Sequence, residues 1–90
     1  MANVSGEVVV INPQGLHARP AAALVQIMLE YQCEIFLNFN GSRVNGKSIM
    51  GLLTLAAAQG SRLTVECDGD DAEAALAAVS QMFESGFGEL

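Results

Sequence analysis

The sequence predicts an α+β fold, an open-faced β-sandwich in which three helices cover one face of a four-stranded antiparallel sheet. Three observations support this. A chain of 90 residues suffices for one domain with a small core, so residues 1–90 read as a single unit. Its hydropathy alternates between the period of a strand and that of a helix, in the order β-α-β-β-α-β-α, with no repeat or linker. Two crossover helices and a terminal one can share one face, and an antiparallel sheet tolerates water on the other.

The elements follow in order. Glu7-Val8-Val9-Val10-Ile11 is a β-branched run ended by the turn formers Asn12-Pro13-Gln14-Gly15, which reads as a first strand. From Ala18 to about Tyr31, the apolar residues Ala21, Leu24, Val25 and Met28 fall on one face of a helix. Glu34 to Phe39 alternates, with Ile35, Leu37 and Phe39 on one side, and Asn40-Gly41 suits a tight hairpin into a short, polar edge strand over Ser42–Gly46. Ser48 is a helix N-cap, Leu52 and Leu55 form the buried stripe, and Gln59-Gly60 ends that helix. Leu63, Val65 and Cys67 point inward from a strand broken by Asp68-Gly69-Asp70. Asp70 and Glu73 form a capping box for a last helix that buries Leu76, Val79 and Phe83, and Gly86 and Gly88 close the chain.

Composition excludes several functions. Ten acidic residues against four basic ones give a net charge of −6, which repels nucleic acid and anionic membrane. No apolar run approaches the roughly 20 residues that span a bilayer. Met1-Ala2-Asn3-Val4-Ser5-Gly6-Glu7 lacks a basic stretch followed by an apolar one, so a cytoplasmic location is expected. Cys33 and Cys67 are widely separated in apolar segments and read as reduced core residues. With one histidine and no cysteine cluster, no metal or other cofactor is expected.

Chemistry concentrates in Gly15-Leu16-His17-Ala18-Arg19-Pro20. Taken without its neighbours, His17 is an ordinary solvated loop residue. At a helix start it meets backbone N–H groups, those of Ala18 and Arg19, that have no intrahelical acceptor, reinforced by the positive end of the helix dipole. That field, with Arg19, disfavours an imidazolium, so the ring is expected to be neutral and nucleophilic. Attack on a phosphoryl donor would form a phosphoramidate able to pass its group onward, with Arg19 neutralising phosphate oxygens.

The run Gly15-Leu16-His17-Ala18-Arg19-Pro20-Ala21-Ala22 resembles the active-site signature of the HPr family, histidine-containing phosphocarriers of the bacterial phosphoenolpyruvate-dependent phosphotransferase system. Asn45-Gly46-Lys47-Ser48-Ile49-Met50-Gly51 resembles that family's second signature, and length and element order agree along the whole chain. The resemblance implies an HPr-like fold and a carrier that is a substrate of enzymes, not an enzyme. It implies that His17 takes phosphate on Nδ1 from phosphorylated enzyme I and gives it to enzyme IIA domains, with Arg19 as the active-site arginine. The overall character of the chain, including the Ser85-Gly86-Phe87-Gly88-Glu89-Leu90 tail, is also compatible with the family's nitrogen branch, whose role is regulatory.

Ser48 carries two readings: a helix cap alone, or also the serine that an HPr kinase/phosphorylase modifies in some bacteria. A phosphate there would place negative charge where a phosphorylated partner docks. Ile49, Met50 and Leu53 lie off the Leu52–Leu55 stripe and are expected to form an exposed apolar docking patch, with Lys47 beside them. A carrier that serves several partners in turn is expected to be a monomer. Two competing readings are a purely regulatory module modified on Ser48, and a small-metabolite sensor, for which no convergent polar pocket is visible in the sequence.

Overall fold

Strands β1 (Asn3–Val9), β2 (Glu34–Phe39), β3 (Ser42–Asn45) and β4 (Arg62–Asp68) form one antiparallel sheet in the order β1-β4-β2-β3. This architecture comes from a computed structural model that describes residues 3–90. Met1 and Ala2, part of the reading of the chain start, lie outside those residues. The last strand in sequence inserts between β1 and β2, so β1 joins the β2–β3 hairpin only through β4. Helices α1 (Ala18–Met28), α2 (Ile49–Thr54) and α3 (Ala72–Glu84) supply the second layer, and a short 3-10 turn, Gly86–Gly88, follows. The expected open-faced sandwich is the observed fold.

One core joins the two layers. Val8 and Val10, Ile35 and Leu37, and Leu63, Val65 and Cys67 point inward from the sheet, as strand alternation requires. Ala21, Leu24, Val25 and Met28 from α1, Leu52 from α2 and Ala72, Ala75, Val79 and Phe83 from α3 meet them. On the opposite face of the sheet, the guanidinium of Arg43 lies 3.8 Å from the centre of the Phe36 ring and bonds Glu66 at 3.0 Å. Phe36 and Asn38 lie half-buried on this face, away from the core as expected, and the Asn40-Gly41 turn has both residues in the left-handed region that the hairpin needs.

Several boundaries differ from the sequence reading. β1 begins four residues earlier, because Gly6 and the polar residues beside it pair with β4 throughout. Val10 and Ile11 fall outside the strand, although Val10 still exchanges hydrogen bonds with Gly60 and Ser61. Helix α1 stops at Met28, not Tyr31, and α2 stops at Thr54, well before Gln59-Gly60. Ala56 adopts φ 51° just past α2 and turns the chain away, so that Ala57 can accept from Leu16. The capping box expected from Asp70 and Glu73 is absent: Asp71 is the N-cap residue, and its carboxylate makes no cap bond. It accepts instead the N–H groups of Gln32 and Cys33 at 2.8 and 2.9 Å, tying α3 to the entry of β2. Leu76 is only half-buried, and Ala72 and Ala75 take the deeper positions. Cys33 and Cys67 are buried free thiols, and burial pushes the Cys67 thiol up to about 11. Among the described residues no helix is long and apolar enough to cross a membrane.

Candidate functional site

The loop between β1 and α1 is anchored before it reaches His17. Gly15 donates its N–H to the Asn12 carbonyl at 3.2 Å, and Leu16 donates to Ala57 at 2.9 Å while its side chain is buried. Burying a leucine contributes about 1.5–3 kcal/mol, enough to hold the adjoining backbone in place. Gly15 has φ 72°, and a Cβ there would lie 2.6 Å from the Ala57 carbonyl oxygen. Glycine is therefore required by both conformation and space.

His17 is the N-cap residue of α1, with extended backbone and no bond from its ring to the helix amides. Its carbonyl accepts the N–H of Ala21 at 3.0 Å, the first turn of the helix. Ala18 and Arg19 are the first two helical residues, so their N–H groups have no intrahelical acceptor. Pro20, the third, has no N–H to offer. The N–H groups left free of the helix at this start are therefore those of Ala18 and Arg19.

Glu89, distant in sequence, completes the site. Its Oε2 lies 2.8 Å from His17 Nε2 and accepts from Arg19 Nη2 at 2.6 Å and Nε at 3.0 Å. Its Oε1 accepts from Asn12 Nδ2 at 2.8 Å, and the same amide donates to the Gly15 carbonyl at 2.8 Å. Asn12 is fully buried, and the Glu89 side chain is only 9% exposed, against 34% for His17 and 69% for Arg19. Burial pushes the Glu89 carboxyl up, but hydrogen bonds from Asn12, His17 and Arg19 outweigh it and hold the group below its usual range. These residues frame a depression of about 240 Å³ lined by Pro13, Gln14, His17, Arg19 and Glu89.

This geometry corrects the expected electrostatics. Arg19 does not face the imidazole as an uncompensated cation, because Glu89 Oε2 pairs with its Nη2 at 2.6 Å. Asn12 is legible in the sequence only as a turn former, and Glu89 only as a residue that follows the closing glycines Gly86 and Gly88. The available signal was a carboxylate placed just after Gly86 and Gly88, residues that permit a sharp reversal toward the basic Arg19.

The other expected site residues divide. Ser48 caps α2, accepting the Gly51 N–H on Oγ at 3.1 Å. Met50 is 71% exposed and Ile49 is exposed, while half-buried Leu53 lines a shallow depression together with Leu16 and His17. Lys47 departs from its expected docking role. Its ammonium is drawn inward and donates to the carbonyls of Tyr31 and Cys33 at 2.6 and 2.8 Å, because the chain between α1 and β2 leaves those acceptors without a ladder partner.

Fold and site together define a class: a small α+β domain that presents one histidine, beside an arginine, at the start of a helix. A family model described as the PTS HPr component phosphorylation site matches residues 4–85. The chain belongs to the HPr family and is a phosphoryl carrier of the phosphotransferase system, not a catalyst. It is 47% identical over 83 residues to the phosphocarrier protein HPr of Xylella fastidiosa (strain 9a5c), covering 92% of this chain and 93% of that one. Identity to the HPr of Neisseria meningitidis (serogroup A, strain Z2491) is 44% over 80 residues, 89% of this chain and 90% of the relative. Among solved structures, HPr of Thermoanaerobacter tengcongensis superposes with a TM-score of 0.90 at 39% identity, over 100% of this chain and 99% of the other. These matches do not favour the purely regulatory reading.

Proposed function

We propose that His17 is the residue that carries the phosphoryl group, on Nδ1, between phosphorylated enzyme I and enzyme IIA domains. One observation carries this reading: the ring stands at the start of α1 with Nε2 engaged by Glu89 and Nδ1 left out of any cap bond. The Nδ1 lone pair forms a bond to phosphorus while the bond from phosphorus to the donor breaks, its electron pair leaving with the donor. The Ala18 and Arg19 amides then receive phosphoryl oxygens, and the helix dipole supports the added negative charge. Onward transfer reverses these steps at the acceptor, so the chain needs no base or metal of its own.

The exposed side chains of Ile49 and Met50, with Leu53 beside the His17 depression, form the apolar surface on which both partners dock in turn. Ser48 lies at the head of this patch, so a phosphate on its hydroxyl would oppose docking of a phosphorylated partner.

Incubation with enzyme I and phosphoenolpyruvate tests the proposal. An acid-labile phosphate is expected on the wild type and on Ser48→Ala, and none on His17→Ala. An unlabelled wild type, or a labelled His17→Ala, would overturn it.

A further inference from the structure

We infer that the free edge of β1, with the groove between it and α3, is an interaction surface for an extended, positively charged segment of a partner protein, which joins the sheet as a fifth strand. This surface is separate from the face that carries His17 and does not rest on the reading of that residue.

The two edges of the sheet differ. β3 is four residues long, and its Arg43 lies folded over the Phe36 ring. A short, charged strand of that kind discourages pairing. β1 is seven residues long and pairs with β4 in unbroken register, with no lysine, proline or bulge along it. Val10 donates to Ser61 at 2.9 Å and accepts from Gly60 at 2.7 Å, so its backbone faces the β4 side. Antiparallel alternation then turns the backbone groups of Val8, Gly6 and Val4 toward β4, and those of Ser5, Glu7 and Val9 away from it. Among the described residues, no other element supplies a partner to these outward groups. Such a row of donors and acceptors is the template that strand addition uses.

The side chains beside this row set the chemistry of the added strand. Between β1 and the end of α3 lies a groove of about 340 Å³, walled by Val9, Ile11 and Phe83, with Ser80 and Glu84 on its α3 side and Glu7 on its β1 side. Ile11 is 37% exposed, so an apolar side chain inserted here would remove apolar surface from water. Glu7 pairs with Arg62 at 3.2 Å, whereas Glu84 meets no basic side chain among the described residues. Glu84 is also the last residue of α3, whose final turn has no basic residue, so the negative end of the helix dipole adds to its charge. A strand laid along β1 points alternate side chains into the groove and away from it. Apolar residues interspersed with lysine or arginine therefore fit, while an acidic segment is repelled by both carboxylates and by the net charge of −6.

Amide NMR of the full chain, titrated with a blocked peptide of alternating lysine and valine as long as β1, tests the inference. Binding should shift the signals of Ser5, Glu7, Val9 and Ile11 together with those of Phe83 and Glu84, and should slow amide exchange at Ser5, Glu7 and Val9. Glu84→Lys should weaken binding at least roughly threefold, the scale of one exposed ion pair. Ser5→Pro removes an outward donor and no ladder bond, and should weaken binding as well. His17→Ala should bind the peptide as the wild type does. Failure of the peptide to bind at millimolar concentration would overturn the inference. Equal binding of a glutamate–valine peptide, or shifts centred on Glu34 and Asp68 instead of the edge, would overturn it too, the latter by revealing a general attraction for cations. So would edge signals that move with protein concentration in the absence of peptide, because a second copy of the chain would then occupy the edge.

Discussion

The ammonium of Lys47 donates to the carbonyl oxygen of Tyr31 at 2.6 Å, and a second bond at 2.8 Å reaches Cys33. The only lysine of the chain thus closes the segment between α1 and β2. Lys47→Met keeps most of the side-chain volume but leaves both carbonyls short of a donor, which should cost about 1–3 kcal/mol. Urea unfolding should show a lower midpoint with an unchanged slope. A midpoint equal to that of the wild type would mean that these bonds add nothing to stability.

Gly15→Ala should be more damaging than an ordinary glycine-to-alanine change. The new methyl would press on the Ala57 carbonyl at 2.6 Å in a backbone of φ 72°. Conformation alone costs about 1 kcal/mol, and the clash adds to it. For a domain of this size each kcal/mol lowers the thermal midpoint by about 4–8 °C. Because the Gly15–Leu16 backbone precedes His17 directly, phosphate uptake should fall as well, and calorimetry alongside a labelling time course would show both effects.

Ser48 allows its cap and its charge to be separated. Ser48→Ala removes the acceptor for the Gly51 N–H and should cost about 0.5–2 kcal/mol. Ser48→Asp retains an acceptor suited to the cap, so its stability should stay close to that of the wild type. Its negative charge should nevertheless weaken docking of a phosphorylated partner, read as a slower uptake whose deficit shrinks in high salt. Equal uptake by Ser48→Asp and the wild type would count against a docking surface at α2.

Met50 and Leu52, two residues apart on α2, should respond oppositely. Leu52 is fully buried, and Leu52→Ala should lose about 2–5 kcal/mol. Met50→Ala should change stability by no more than about 0.5 kcal/mol, since its side chain is mostly in water. Titration calorimetry with enzyme I should nonetheless show weaker binding for Met50→Ala. Unchanged affinity would remove Met50 from the docking patch.

Asp71 makes stability fall in acid. The hydrogen bond from the Gln32 N–H, aided by that from Cys33, outweighs burial and holds its carboxyl below the ordinary 3.8. A group depressed in the folded state stabilises the fold above its unfolded value, and that contribution disappears as pH falls through the folded value. Glu89, depressed from 4.5, acts in the same direction. The thermal midpoint should therefore be nearly flat near neutrality and drop as pH is lowered past the ordinary carboxylate range. Asp71→Asn should start lower and show a shallower decline. An identical decline in the variant would assign the acid sensitivity to other groups.

Local pattern determined much of this protein. Alternation placed Ile35 and Leu37, and Leu63, Val65 and Cys67, on the core side. Helical spacing selected Leu24, Val25 and Met28, short-range capping placed Ser48 at the head of α2, and the turn before a first-turn proline placed His17 at the head of α1. All of these depend on residues a few positions apart, where chain geometry is the same before and after folding. The insertion of β4 between β1 and β2 was not legible in that pattern, because a strand's own periodicity does not name its neighbour. The same holds for Asp71, whose amide partners lie 38 and 39 residues away, and for the inward turn of Lys47. It holds most of all for Glu89, which meets His17 across 72 residues. A glutamate near a chain end has the hydropathy of any solvated residue, and only when the sheet and helices bring the two ends together does its charge find Asn12, His17 and Arg19.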